Sequence, residues 1–121
     1  MSYDAYSAAA RSVRTDRQVE ADALERCAIR LARADHPSAR EEAVSLNCQL
    51  WGVFIGDIGQ NPGRLPEPIR GNIVRLGHWV LSSAAAALAG DAEVLGTLAS
   101  VNRAIAAGLR GDAGQRAAPA A

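Results

Sequence analysis

Cys27, Cys48, His36 and His78 are the thiols and imidazoles of this chain, and nucleophilic or metal chemistry would have to start from them. A nucleophile needs a base within hydrogen-bond reach. His36 abuts Pro37 and reads as a solvated residue at a helix end, whereas His78 stands beside Trp79 in an apolar stretch and reads as a packing residue. The two cysteines lie within predicted helices, without CxxC spacing or clustered histidines, so neither a zinc site nor a disulfide framework is signalled. They read as free thiols packed like small hydrophobes. The segment Gly52-Val53-Phe54-Ile55-Gly56 lacks the Gly-Lys-Ser/Thr ending of a phosphate-binding loop. No catalytic residue, cofactor or metal is therefore expected, and the chain does not read as an enzyme.

What remains are polar and aromatic residues in apolar surroundings. Asn47 precedes Leu50-Trp51 on the most apolar segment, and Asp57 closes that segment. A buried polar group left without a partner costs roughly 1–3 kcal/mol, so each should have a specific one. Asp57 is expected to pair with Arg70 across the following turn, fixing the angle between two helices. Asn102-Arg103 is a polar step in the last helix that reads as an exposed face, with Asn102 grouped among the structural polar residues. Tyr3, Tyr6, Trp51, Phe54, Ile55 and Trp79 are the candidate partner-binding residues, although Trp51 and Trp79 read as core before interface, Trp being also the residue most enriched at binding hot spots.

The elements that must position these residues are helices. Tyr3, Tyr6, Ala10 and Val13 fall on one stripe of a short N-terminal helix. Thr15-Asp16-Arg17-Gln18 reads as a capping box that opens a second helix with Glu20, Leu24, Cys27, Ala28 and Leu31 along one side, ended by His36-Pro37. Ser38-Ala39-Arg40-Glu41 is a second such box. The helix after it is apolar almost all round, through Val44, Leu46, Leu50, Trp51, Val53, Phe54, Ile55 and Ile58. Such a helix is central to a bundle or covered by a partner. Gly52 and Gly56 share a face on which a neighbouring backbone is expected to approach. After the turn Gln60–Arg64, Leu65-Pro66-Glu67-Pro68 opens a helix whose buried stripe is Ile69, Ile73, Leu76, Val80 and Leu88. Gly90 reads as its C-terminal stop. Asp91 caps a last helix striped with Val94, Leu98, Val101, Ile105 and Leu109, which Gly111 ends. The expected fold is all-α: an antiparallel single-domain bundle of four long helices and a short N-terminal one over residues 1–111. Short connections favour that topology. Residues 112–121 form a tail of disordered composition.

Composition narrows the function classes. The chain has 121 residues, 49% of them hydrophobic but only 4% aromatic, with 13 basic and 13 acidic side chains. Alanine supplies much of the apolar quota, which suits close helix packing better than a β-sandwich. A balanced charge, with arginines dispersed among carboxylates, disfavours nucleic acid as a partner. No basic region followed by an apolar core marks a secretory signal, and no apolar run approaches the roughly 20 residues that span a bilayer. A cytoplasmic location follows by elimination.

Taken in order, Ala5-Tyr6, then Asn47-Cys48-Gln49-Leu50-Trp51 with Asp57, Leu65-Pro66, Pro68-Ile69-Arg70, Ile73-Val74-Arg75-Leu76, Trp79-Val80, Val101-Asn102-Arg103-Ala104-Ile105 and Gly108-Leu109 resemble the flagellar biosynthesis regulator FlaF family. Leu46 stands where that family often has an aromatic, and Ile69 where it favours Leu. The resemblance covers nearly the whole chain. It implies a cytoplasmic helical protein needed for flagellum assembly, acting with the flagellin regulator FlbT on flagellin synthesis and export. An export chaperone would cover the amphipathic terminal helices of unassembled flagellin. A helix apolar all round has surface to offer such a partner. Two alternatives stand beside it: a regulator of flagellin messenger RNA, acting directly or through FlbT, and a homo-oligomer or homodimer paired through the apolar helix. The stripe of Tyr3, Tyr6 and Val13 is either the first helix of the core or a lid occupying the client groove. Deleting residues 1–14 separates those two readings.

Overall fold

The computed structural model describes the backbone of residues 2–111 and, apart from residues 1–16 and 64, their side chains. Five helices make up the fold: α1 Ser2–Ala32, α2 Pro37–Gln60, α3 Glu67–Ser82, α4 Ala84–Leu88 and α5 Ala92–Arg110, with a 3-10 turn at Pro62–Arg64. No strand occurs among the described residues. The all-α bundle is as expected, but three of its boundaries are not.

The break expected at Thr15 is absent, and the short N-terminal helix is continuous with the next one as α1. Thr and Asp cost only a few tenths of a kcal/mol inside a helix, and no Gly or Pro stands nearby to stop it. Ser38 does not cap α2. The N-cap is His36, with Pro37 in the first helical position, and Ser38 Oγ instead meets His36 Nδ1 at 3.0 Å. Proline's fixed φ supplies the helix start that the hydroxyl was expected to make. The helix expected from Leu65 to Leu88 is divided at Ser83 into α3 and the single-turn α4.

The stop after α4 is as read. Gly90 takes φ +90°, a left-handed conformation that glycine adopts at no steric cost. Asp91 then caps α5, its Oδ1 accepting from the backbone N–H groups of Glu93 and Val94 at 3.1 and 3.2 Å.

α1 lies lengthwise along α5, while α2 packs against α1, α3 and α4. The long neighbours run antiparallel. Arg30 near the end of α1 pairs with Glu42 near the start of α2, and Arg110 at the end of α5 reaches back to Asp22 and Glu25 of α1. Small residues make the α1–α5 seam. Ala21 and Ala28 of α1 and Ala99 and Ala106 of α5 are all essentially fully buried, and side chains this small let the two backbones close in on one another. This seam turns α5 by about one residue from its expected register. Leu95, Leu98, Ala99, Asn102, Ala106 and Leu109 are buried, whereas Val94, Val101 and Ile105 are half-buried.

The core fills around Trp51, Leu24, Leu31, Leu98 and Val80. Each such aliphatic side chain contributes roughly 1.5–3 kcal/mol on burial. Phe54 meets the Trp51 ring edge-on, with centroids 5.7 Å apart. The glycines of α2 have no role in close packing: a Cβ at Gly52 or Gly56 would meet nothing within 4 Å. Close approach occurs instead at Gly77 of α3, where a Cβ would fall 2.1 Å from Ile55 Cδ1 and 3.3 Å from Trp51 Cε3.

Candidate partner-binding groove

Two asparagines and a tryptophan organise the centre of the bundle. Asn102 of α5, at 0% exposure, accepts from Trp51 Nε1 at 2.9 Å through its Oδ1. Its Nδ2 donates to Asn47 Oδ1 at 2.7 Å and to the Leu24 carbonyl at 3.2 Å. An indole N–H can only donate, so Asn102 must turn its oxygen to Trp51, and Asn47 must then present its own oxygen. One side chain thereby ties α5 to both α1 and α2 at a single level. Asn47 does have the specific partner expected of it, although its own Nδ2 is buried without an acceptor. Asn102 is not an exposed residue. Two amides standing alone in apolar helices were the available signal for such a network.

The polar connection after α2 is built differently from expectation. Arg70 donates to the carbonyl oxygens of Pro62 and Leu65 and lies 3.8 Å from Glu67, so its contacts do not include Asp57. Asp57 accepts from Asn61 Nδ2 at 3.3 Å. A guanidinium donating to two backbone carbonyl oxygens and set near a carboxylate on its own helix satisfies the tight turn locally.

The candidate partner-binding residues divide. Trp51 at 0% and Phe54 at 4% exposure belong to the core and offer nothing to a partner. Ile55 is half-buried against Gly77. Trp79 keeps about a third of its surface in water, at 36%. The side chains of Tyr3 and Tyr6 lie outside the described residues. α2 is not apolar on every side in effect, because Val44, Trp51, Phe54 and Ile58 form one buried stripe around Asn47 while Val53 points outward.

Neither thiol is poised to react. Burial pushes the Cys27 thiol up, with Arg30 and Arg26 partly opposing it, and burial likewise raises Cys48. A thiol raised in this way is protonated at neutral pH and a poor nucleophile.

One feature that could receive another molecule is a groove between α3 and α5. α3 and α5 do not pack along each other, and between them runs a trough of about 380 Å³. Its walls are Leu65, Ile69, Ile73 and Leu76 on the α3 side and Ile105 and Leu109 on α5, with Arg17 of α1 at the rim. Ile73, Leu65 and Leu109 are buried and form the floor, whereas Ile69 stands 47% exposed on the lip. Ile69 was expected in the buried stripe. Its exposure, and that of Leu88 at 46%, follow from the space between α3 and α5 and from the division of the helix at Ser83. Trp79 follows Leu76 by three residues and so adjoins the same face of α3. Leu65, Ile69, Ile73 and Leu76 rise along that face at near-helical spacing, the pattern that receives an amphipathic helix.

No helix of the described residues is long and apolar enough to cross a membrane. No curated protein and no solved structure matches the chain. The family model of the flagellar protein FlaF matches residues 2–109, spanning α1 through nearly the end of α5 and so the asparagine network and the groove alike, and the chain belongs to the FlaF family.

Proposed function

We propose that this protein is a cytoplasmic flagellum assembly factor that holds unassembled flagellin before export, laying one amphipathic terminal helix of the client into the groove between α3 and α5. The carrying observation is that groove, in a chain whose family is flagellar. An apolar trough with a buried floor and an exposed isoleucine lip recovers hydrophobic free energy only when another apolar surface enters it. Covering the helix would keep flagellin from polymerising and so couple its synthesis to its export, with FlbT as a further partner. The arginines support protein over messenger RNA as the ligand. Arg30, Arg70 and Arg110 each stand against carboxylates, so these three do not add to a basic face of the kind that phosphate backbones require.

Co-purification tests the reading. Flagellin is expected to be retained at modest salt, and flagellin lacking its terminal helices is not. Ile69→Asp, on the exposed lip, should release flagellin while leaving the thermal transition nearly in place. Retention of neither form of flagellin would end the chaperone reading; full retention by Ile69→Asp would move the site off this groove.

A further inference from the structure

On the far side of α1 from α5, the seam between α1 and α2 holds a second groove, of about 420 Å³, floored by Ala23 and Cys27 and walled by Leu46, Leu50 and Val53. Leu46, Leu50 and Val53 follow one another at i, i+4 and i+7, and two of them are conspicuously wet: Leu46 at 37% and Val53 at 71% exposure. An apolar strip at that spacing is the surface that a partner helix covers.

The rim supplies the second half of the argument. Arg26 and Arg30 line this groove, and the same two continue with Arg33 into the hollow beside the α1–α2 connection. Arg30 is neutralised by Glu42. Arg26 and Arg33 are exposed, and among the described residues neither forms an ion pair. They stand two helical turns apart, about 10.5 Å along the axis. At the opposite end the seam is bordered by Glu20 and Asp57. The apolar strip with Arg26 and Arg33 towards its other end matches a helix that carries localised carboxylates, whereas a nucleic acid would leave Leu46, Leu50 and Val53 uncovered.

We propose that the α1–α2 seam is a second docking site, for an amphipathic helix that lays aliphatic side chains against Leu46, Leu50 and Val53 and offers two carboxylates, two turns apart, to Arg26 and Arg33. It is independent of the α3–α5 groove and stands whether or not flagellin occupies that one.

The test uses the full chain and a fluorescent amphipathic peptide of about 20 residues, long enough for several helical turns. One version carries leucines on one face and two glutamates two turns apart on its flank; a second carries lysines in place of the glutamates. The glutamate peptide should bind, and Val53→Glu should abolish binding. The lysine peptide should bind about tenfold more weakly, the scale set by turning two partly exposed ion pairs from attraction to repulsion. The double variant Arg26→Glu/Arg33→Glu should reverse that preference, and Ile69→Asp should leave it alone. These positions are exposed, and circular dichroism is to check that each variant is folded before its binding is read. The proposal is overturned if the glutamate peptide does not bind, if both peptides bind alike, if Ile69→Asp rather than Val53→Glu removes binding, or if an RNA oligonucleotide displaces the peptide.

Discussion

Asn102→Ala is the substitution on which the account of the core turns. Removing the amide strands Trp51 Nε1 and Asn47 Oδ1, which have Asn102 as their hydrogen-bond partner in an interior from which water is excluded. The Leu24 carbonyl loses a donor too, but inside α1 it keeps its helical one. At roughly 1–3 kcal/mol for each stranded group, two groups cost about 2–6 kcal/mol. Against a total stability of about 5–15 kcal/mol for a domain, that is a large fraction. Urea titration followed by far-UV circular dichroism reads the loss directly. Asn102→Asp sharpens the test. A carboxyl there still accepts from Trp51, but it is fully buried and meets Asn47 Oδ1 as a second acceptor, both of which favour its protonated form. Its folded pKa is thereby raised above the unfolded value of about 3.9. The folded state then holds the extra proton, so the variant is least impaired below about pH 4 and loses stability as pH rises through the folded pKa. A loss below about 1 kcal/mol for Asn102→Ala, less than one stranded group should cost, would refute the network as the pin joining α1, α2 and α5. So would an Asn102→Asp deficit that does not change with pH.

Gly77→Ala should destabilise by about 1–2 kcal/mol, the overpacking against Ile55 outweighing the gain of roughly 1 kcal/mol in helix propensity; Ile55→Val should recover part of the loss in a thermal melt. Gly52→Ala and Gly56→Ala should do the opposite, each raising stability by up to about 1 kcal/mol, because nothing opposes the added methyl group. Asp91→Ala should cost about 1 kcal/mol through the lost cap of α5, and Asp91→Asn much less, as chemical denaturation would show.

Local chemistry along the chain was enough to show the helices. Asp91 before a striped segment and Gly90 before Asp91 name the start of α5 and the stop of α4, because a cap and a left-handed glycine act within a few residues of themselves. The same locality explains the misreadings. Thr15 and Ser38 have the composition of caps, yet a continuous α1 and the Pro37 start of α2 make both unnecessary. Arg70 found backbone carbonyls in its own turn before it could reach Asp57.

What the amino-acid order determined by itself is therefore the class of the molecule: hydrophobic period, breakers and alanine content leave a helical bundle as the way to bury several stripes at once, and the order of its motifs carries the family. Only the packed structure decided that Trp51 and Phe54 are core, that Asn102 bridges three helices, that Gly77 rather than Gly52 is where helices touch, and that Ile69 and Val53 are left beside open grooves. Period tells which side of a helix is apolar; it is blind to how far apart two neighbours settle. That distance depends on the sizes of side chains meeting from helices remote in sequence.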